Sequence, residues 1–283
     1  MEIVTWNIQA GRGVDGALDL DRIARTVRAM GDPDVICMQE VARCMPELDG
    51  GAGADHAARI ARFFPDHTPV FGAALDRDGG GKRRRQFGNL VLSRPPLVQI
   101  FRHLLPQPPH AGIKHMLRQA IEVVVPVEAG ALRIVTTHLE YHSEAQRMAQ
   151  VERLRVLHRE VCGNQREPAL ALDSGPYARA PRPGAAVFCG DFNMAPDDPV
   201  YVRLLAPFDD GSPALCDAWR LARPGSPHDP TCGIFDRTQW PQGAHCRDYF
   251  FVTSDLADRV AAVKVDAETQ ASDHQPMRLV LAV

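Results

Sequence analysis

This chain has no Cys-x-x-Cys pair, no internal repeat, no low-complexity segment and no stretch with the length and composition of a linker. Its cysteines, Cys37, Cys44, Cys162, Cys189, Cys216, Cys232 and Cys246, are odd in number, and several sit in apolar runs. They read as reduced thiols and exclude a zinc framework or a disulfide frame. No apolar run is long enough to span a bilayer. Met1-Glu2 leads straight into Ile3-Val4-Thr5-Trp6, leaving no room for a secretory leader. The expectation is a cytoplasmic protein without integral membrane association. An excess of positive charge is missing too: the formal net charge is −3, so no global basic field marks a nucleic-acid binder. That weakens a nucleic-acid substrate without excluding one. With no linker and 45% hydrophobic residues, residues 1–283 are expected to form one domain that buries roughly 75% of the surface exposed by the unfolded chain.

What is present is a series of short buried runs that end in polar residues. Ile3 to Trp6 predicts a strand ending at Asn7. Leu20, Ile23, Ala24, Val27 and Met30 recur at helical spacing, with Asp19 as N-cap and Gly31 as stop. A second buried strand, Val35 to Met38, ends at Gln39-Glu40. A weak helix over 57–63, a strand over 68–75 and a basic loop over 79–85 follow, then Leu90-Val91-Leu92 with Asn89 at its start. Residues 97–104, 118–127 and 132–137 read as strands, the last running into His138. Ser143 and Gln146 have capping-box spacing for a helix whose Met148, Val151, Leu154, Leu157 and Val161 face the core. Residues 164–184 form an irregular excursion rich in proline. After it, Ala185 to Cys189 is a core strand that delivers Gly190-Asp191-Phe192-Asn193. A short helix over 199–205, a long loop over 207–246 and strands over 249–252, 260–265 and 277–283 complete the chain. Strands and helices are mixed throughout, so the class is α/β or α+β.

Asn7, Glu40, His138, Asp191, Asn193 and Asp248 each stand at or beside a predicted strand end, and Asp273 and His274 precede the last strand. Polar groups delivered to strand ends can meet on one rim of a sheet. Carboxylates, amides and imidazoles together suit hydrolysis of a phosphate ester. Mg²⁺ takes hard oxygen ligands and usually one or two carboxylates. Glu40 can serve, with Asn7, Gln9 or Asp273 beside it. Asp191 can orient or deprotonate a water. Asn193, His138 and His274 can donate to charge developing on phosphorus, and Asp248 can hold His274 in one tautomer.

The motifs Thr5-Trp6-Asn7-Ile8, Met38-Gln39-Glu40, Gly88 to Arg94, Thr137-His138-Leu139, Gly190-Asp191-Phe192-Asn193, Asp248-Tyr249-Phe250-Phe251 and Ser272 to Pro276 resemble the endonuclease/exonuclease/phosphatase superfamily, in family order. The resemblance implies the DNase I-like four-layer sandwich, two packed mixed β-sheets flanked by helices. It implies a Mg²⁺-dependent hydrolase, Mn²⁺ being a possible substitute, and the roles just assigned. It also implies that Arg118, opening its strand, helps line the site. Departures argue against abasic-site repair: Gln9 replaces the usual Asp, His138 the usual Tyr, and Ala244-His245-Cys246-Arg247 precedes Asp248 where a Trp is usual. Asn7 to Gly13 and Asp217-Ala218-Trp219-Arg220 look most like bacterial members.

Three further residues have two readings each. Asn89 either binds substrate or caps a turn. Arg85, with Lys82, Arg83 and Arg84, either draws in an anionic substrate or lies on a solvated loop. Trp240 either lines a substrate wall with Gln239 and Pro241 or pins a long loop. Gly79-Gly80-Gly81 lacks the helix start of a phosphate loop, Gly88-Asn89-Leu90 lacks the histidine of a calcineurin-like site, and His138 and His142 precede the helix that zinc spacing would need. The expected partner is an anionic phosphoester bound by a monomer, either a small molecule or lipid headgroup or, as the alternative, nucleic acid. A non-catalytic binding or scaffold protein is the reading from another class.

Overall fold

The computed structural model describes residues 1–283. In chain order its elements are β1 (Glu2–Asn7), α1 (Leu20–Ala29), β2 (Val35–Arg43), α2 (His56–Ala61), β3 (Thr68–Asp78), β4 (Arg84–Ser93), β5 (Gln99–Leu104) and β6 (Gln119–Val127). They continue with β7 (Gly130–His138), α3 (Glu144–Arg166), β8 (Ala186–Asp191), α4 (Pro199–Leu205), β9 (Leu215–Asp217), α5 (Ala218–Ala222), β10 (Asp248–Thr253), β11 (Val260–Val265) and β12 (Met277–Leu281). The strands form two six-stranded sheets, ordered β11-β12-β1-β2-β4-β3 and β5-β6-β7-β8-β10-β9. No helix is long and apolar enough to cross a membrane.

The two sheets repeat one another without any repeat in the sequence. Each has a single parallel pair at its centre, β1 with β2 and β7 with β8, and antiparallel neighbours on both sides. A parallel pair needs a crossover, and the two crossovers are α1 and the α3 segment. Both helices start from side-chain caps: Asp19 accepts from Arg22 N at 2.9 Å and Ser143 from Gln146 N at 3.1 Å. The Gln146 side chain turns away to Pro108 O, so the reciprocal half of the capping box is absent.

Apolar residues sort into three layers of core. Ile3, Cys37, Val91, Ile134, Val187, Cys189 and Phe250 fill the space between the sheets. Ile23, Val27 and Ile60 bury α1 and α2 against Val4, Trp6 and Ile36, while Leu154 and Tyr201 bury α3 and α4 against Val135, Phe188 and Phe251. The expected four-layer sandwich follows, because each central strand is covered on both faces. Helix α3 also carries Arg147, Gln150, Arg155 and His158 on its buried side, and Met148 is only half-buried.

Three stretches differ from the pattern reading. β2 does not stop at Gln39-Glu40: it runs to Arg43 through a register shift between Met38 and Val41, with Glu40 at φ 59°. A bulge breaks the two-residue alternation, which makes the strand look finished. Arg84 and Arg85 belong to β4, where Arg84 Nε pairs with Asp76 at 2.8 Å, so the loop is shorter than expected. Within 207–246 lie β9 and α5, too short for periodicity to reveal; Asp217 caps α5 by accepting from Trp219 N at 2.8 Å.

Candidate active site

The C-terminal ends of both parallel pairs open onto one site. In the second sheet His138, Asp191 and Asp248 share a rung: His138 is opposite Asp191 and Asp248 is opposite it from the other side. In the first sheet Asn7 stands opposite Gln39, and the bulge sets Glu40 beside them. Buried Gln39 ties the sheets together under the site, its Nε2 reaching Thr5 Oγ1 at 3.1 Å and Thr136 Oγ1 at 3.0 Å. Gly190, at φ +131°, is required for this convergence. A Cβ there would lie 2.0 Å from Thr137 O, so any side chain would force β7 and β8 apart.

Asp191, 1% exposed, is the hub. Its Oδ2 accepts from Asn7 Nδ2 at 2.9 Å and lies 3.4 Å from His138 Nε2 and 3.7 Å from His274 Nε2. Its Oδ1 accepts from Asn193 N at 2.9 Å, a local turn that holds Asn193 at φ 52°, where Asn is well tolerated. Phe192 between them packs against Phe251 at 5.0 Å and anchors the turn to the outer core. Asn193 Nδ2 donates to Leu139 O at 3.0 Å, which leaves its second amide hydrogen for a ligand.

The two imidazoles are driven in opposite directions. Burial opposes charge on His274, but Asp248, Asp191 and Asp273 outweigh it and hold the ring well above the usual histidine range. His274 Nδ1 is 2.8 Å from Asp248 Oδ2, so the ring donates to the carboxylate. Burial, the Arg118 guanidinium and His274 itself push His138 well below the usual range. One site therefore carries an imidazolium and a neutral imidazole. Asp191 is raised from its ordinary value, chiefly by burial, which makes it a stronger base than a solvated aspartate.

Glu40 is pushed up to about 7 by burial and by the charge of Asp273. It still keeps 27% of its side chain exposed, unlike Asp191, Asp248 and Asp273. Four carboxylates share this space with one imidazolium, a surplus of negative charge that fits a divalent cation. Buried Asp248 Oδ1 has no partner. Asp191, Asp248 and His274 bring three donor atoms within 4.8 Å. The His274 ring, bonded at Nδ1 and held protonated, has no lone pair to give, so the hard oxygens of Glu40 and Asp273 suit a metal better. Asn7, expected beside them as a ligand, gives Nδ2 to Glu40 Oε1 at 3.1 Å as well as to Asp191. Its Oδ1 accepts from Gln9 N at 3.1 Å, with one lone pair left over. Asn7 thus bridges the two carboxylates.

The remaining expected residues divide. Arg118 and Asn89 are buried and, with His138, line a cavity of about 10 Å³. Arg118 Nε donates to Glu140 Oε2 at 3.2 Å, and Asn89 Nδ2 to Gln119 O at 3.4 Å. Trp240 is only 2% exposed, so it backs the site rather than walling it. Its Nε1 donates to Asp273 Oδ2 at 3.1 Å and its ring meets His274 edge-on at 5.4 Å. Arg85 does not join the cluster: it is 43% exposed, and its ion-pair partner is Glu47 at 3.9 Å. Ser272, part of a quoted motif but given no role there, donates to Asn7 O at 2.8 Å, and Glu140 escaped the sequence reading. The only signal for Glu140 was an acid two residues past a strand-end histidine. A cavity of about 830 Å³ lies elsewhere, lined by Gly130, Pro168, Tyr177 and Arg182 among others, by the end of β7 opposite to His138.

The endonuclease/exonuclease/phosphatase family model matches residues 4–274. A Beutenbergia cavernae endonuclease/exonuclease/phosphatase structure is 25% identical, with a TM-score of 0.68 over 99% of this chain and 70% of that one. A mannosyl-6-phosphatase of Bacteroides thetaiotaomicron superposes at 0.68 with 15% identity over 100% of both chains. Truncated TDP2 of Caenorhabditis elegans superposes at 0.60 with 19% identity, covering 98% of this chain and 95% of that one. No curated protein matches. Motif order, the paired sheets and a match spanning nearly all of its length agree: the chain belongs to the endonuclease/exonuclease/phosphatase family.

Proposed function

We propose that the chain is a divalent-cation-dependent phosphoester hydrolase, acting as a phosphodiesterase on a small-molecule or lipid-headgroup phosphoester. The observation that carries this is Asp191, a buried carboxylate whose Oδ2 accepts from Asn7 Nδ2 at 2.9 Å and faces His138 Nε2 at 3.4 Å and His274 Nε2 at 3.7 Å, with burial raising its proton affinity. Asp191 takes the proton of an attacking water, which Asn7 helps to place by fixing Oδ2. His274, kept charged and oriented by Asp248, stabilises charge that develops on the phosphate oxygens. Neutral His138 and the second amide hydrogen of Asn193 donate to the same group. Glu40 and Asp273 would hold Mg²⁺, or Mn²⁺ in its place, which when bound would supply Lewis-acid charge neutralisation at the phosphate.

The state of the basic run favours a small ester over nucleic acid. Arg84 is paired with Asp76 and Arg85 faces Glu47, leaving Lys82 and Arg83 without an ion pair. Two stray charges add little to the several phosphate contacts that a nuclease track needs. The intact acid, amide and imidazole set favours turnover over a scaffold role. The mannosyl-6-phosphatase among the structural relatives makes a sugar phosphomonoester a required assay arm.

The test is Mg²⁺- and Mn²⁺-dependent release from a phosphodiester and a phosphomonoester reporter, with plasmid and single-stranded DNA alongside. Wild type should turn over a small ester, lose activity to a chelator and regain it with Mg²⁺. Asp191→Ala and His274→Ala should each lose about 10³-fold or more in kcat. No hydrolysis across the panel refutes the enzyme reading, and plasmid nicking well above small-ester rates refutes the substrate preference.

A further inference from the structure

Arg118 is 5% exposed and its Nη1 is buried without an acceptor in the protein. An orphaned buried donor is costly, more so on a charged group. The cavity it lines with Asn89 and His138, about 10 Å³, has room for about one oxygen-sized atom. Opposite stands Glu140, fully buried and outside the hub. Its Oε2 accepts from Arg118 Nε at 3.2 Å and Met116 N at 3.4 Å, and its Oε1 from His142 N at 2.9 Å. Helix α3 pins its backbone from both sides: Gln150 Oε1 accepts from Glu140 N at 2.9 Å, and Arg147 Nη1 donates to Glu140 O at 2.8 Å. Despite burial, Arg118 and the backbone amides keep this carboxyl below its ordinary value, so it stays charged. A buried carboxylate held so firmly fixes the guanidinium by its Nε side and leaves Nη1 for something else.

We propose that Glu140 is a positioning residue that holds Arg118 so that Nη1 donates to an oxygen of the substrate phosphate, beside His138 and Asn89. The proposal rests on the phosphoester reading above. It assigns Arg118 a definite atom and Glu140 a role that acts only through Arg118. Because that phosphate oxygen is present in the ground state and the transition state alike, the contact bears on binding more than on the chemical step.

Inorganic phosphate binding, followed by calorimetry, is compared for wild type, Arg118→Ala, Glu140→Gln and the double variant, with thermal melts as a folding control. Each single variant should weaken phosphate by about 10-fold or more, and the double should bind no more weakly than Arg118→Ala. With a reporter ester, Glu140→Gln should raise KM while kcat stays within about threefold. Unchanged phosphate affinity in folded Glu140→Gln, or losses that multiply in the double, overturns the proposal. Should Glu140→Gln not fold, Arg118→Lys keeps the charge beside Glu140 but lacks Nη1, and wild-type phosphate affinity in that variant overturns the proposal. Absence of turnover by wild type defeats the enzyme reading alone, because phosphate titration still reads the clamp.

Discussion

Acid should weaken this protein through Glu122, whose ion-pair partners all lie outside the candidate site. Glu122 is 1% exposed in β6, where Arg182 grips it with two bonds, Nε to Oε1 at 2.7 Å and Nη2 to Oε2 at 2.8 Å. His103 Nε2 lies at 3.1 Å and Arg133 Nη1 at 3.6 Å. Burial alone would raise this carboxyl, yet Arg182, His103 and Arg133 together hold it at about 2 instead of 4.5. A depressed carboxyl stabilises the fold fully above its unfolded value and loses that stabilisation as pH falls toward its folded value. The displacement is worth about 3 kcal/mol at pH 7, of which about 2 kcal/mol is gone by about pH 3. Glu122→Gln removes the pH-dependent part and leaves Arg133 without its counter-charge. Urea unfolding of wild type and variant at both pH values reads the effect. The variant should be about 3 kcal/mol weaker at neutral pH, with the gap closing to about 1 kcal/mol in acid. A gap that does not change with pH refutes the reasoning.

Asp248→Asn keeps the shape beside His274 but removes the charge at 2.8 Å; kcat on a phosphodiester reporter should fall by about 10³-fold or more, and a fall under about tenfold would sink the assigned role. Gly190→Ala puts a Cβ 2.0 Å from Thr137 O at φ +131°; denaturation should show a loss of about 3 kcal/mol or more, and wild-type stability would remove the close-approach argument. Trp240→Phe retains the ring against His274 but drops the bond to Asp273. Urea unfolding should show a loss of about 1 kcal/mol, with KM for the reporter within about twofold of wild type, and a large rise in KM would return Trp240 to the substrate wall.

Most elements were legible because their cause is local. Asp19 and Ser143 announce helices, since a cap and its amide lie three residues apart. β8 was legible because a buried run bounded by glycine has few alternatives. The misreadings have local causes too. Glu40 sits in a bulge that hides the rest of β2, and β9 and α5 are each shorter than two periods of their pattern, too short for one to repeat. Arg85 and Trp240 were ambiguous because a charge run or a lone indole carries no information about which way its side chain turns. The fold turns one outward to Glu47 and the other inward behind Asp273.

By itself the sequence determined that acids, amides and imidazoles stand at strand ends, because apolar runs and their polar stops are neighbours in the chain. Only the tertiary structure decided what those groups become. Asn7 and Asp191 meet at 2.9 Å although 184 residues separate them, and Glu140 clamps Arg118 from the far side of a hairpin. His138 and His274 are the same side chain in composition. One is neutral beside Arg118 and the other charged among three aspartates, because protonation depends on burial and on charges brought near through space. No pattern along one strand contains that information.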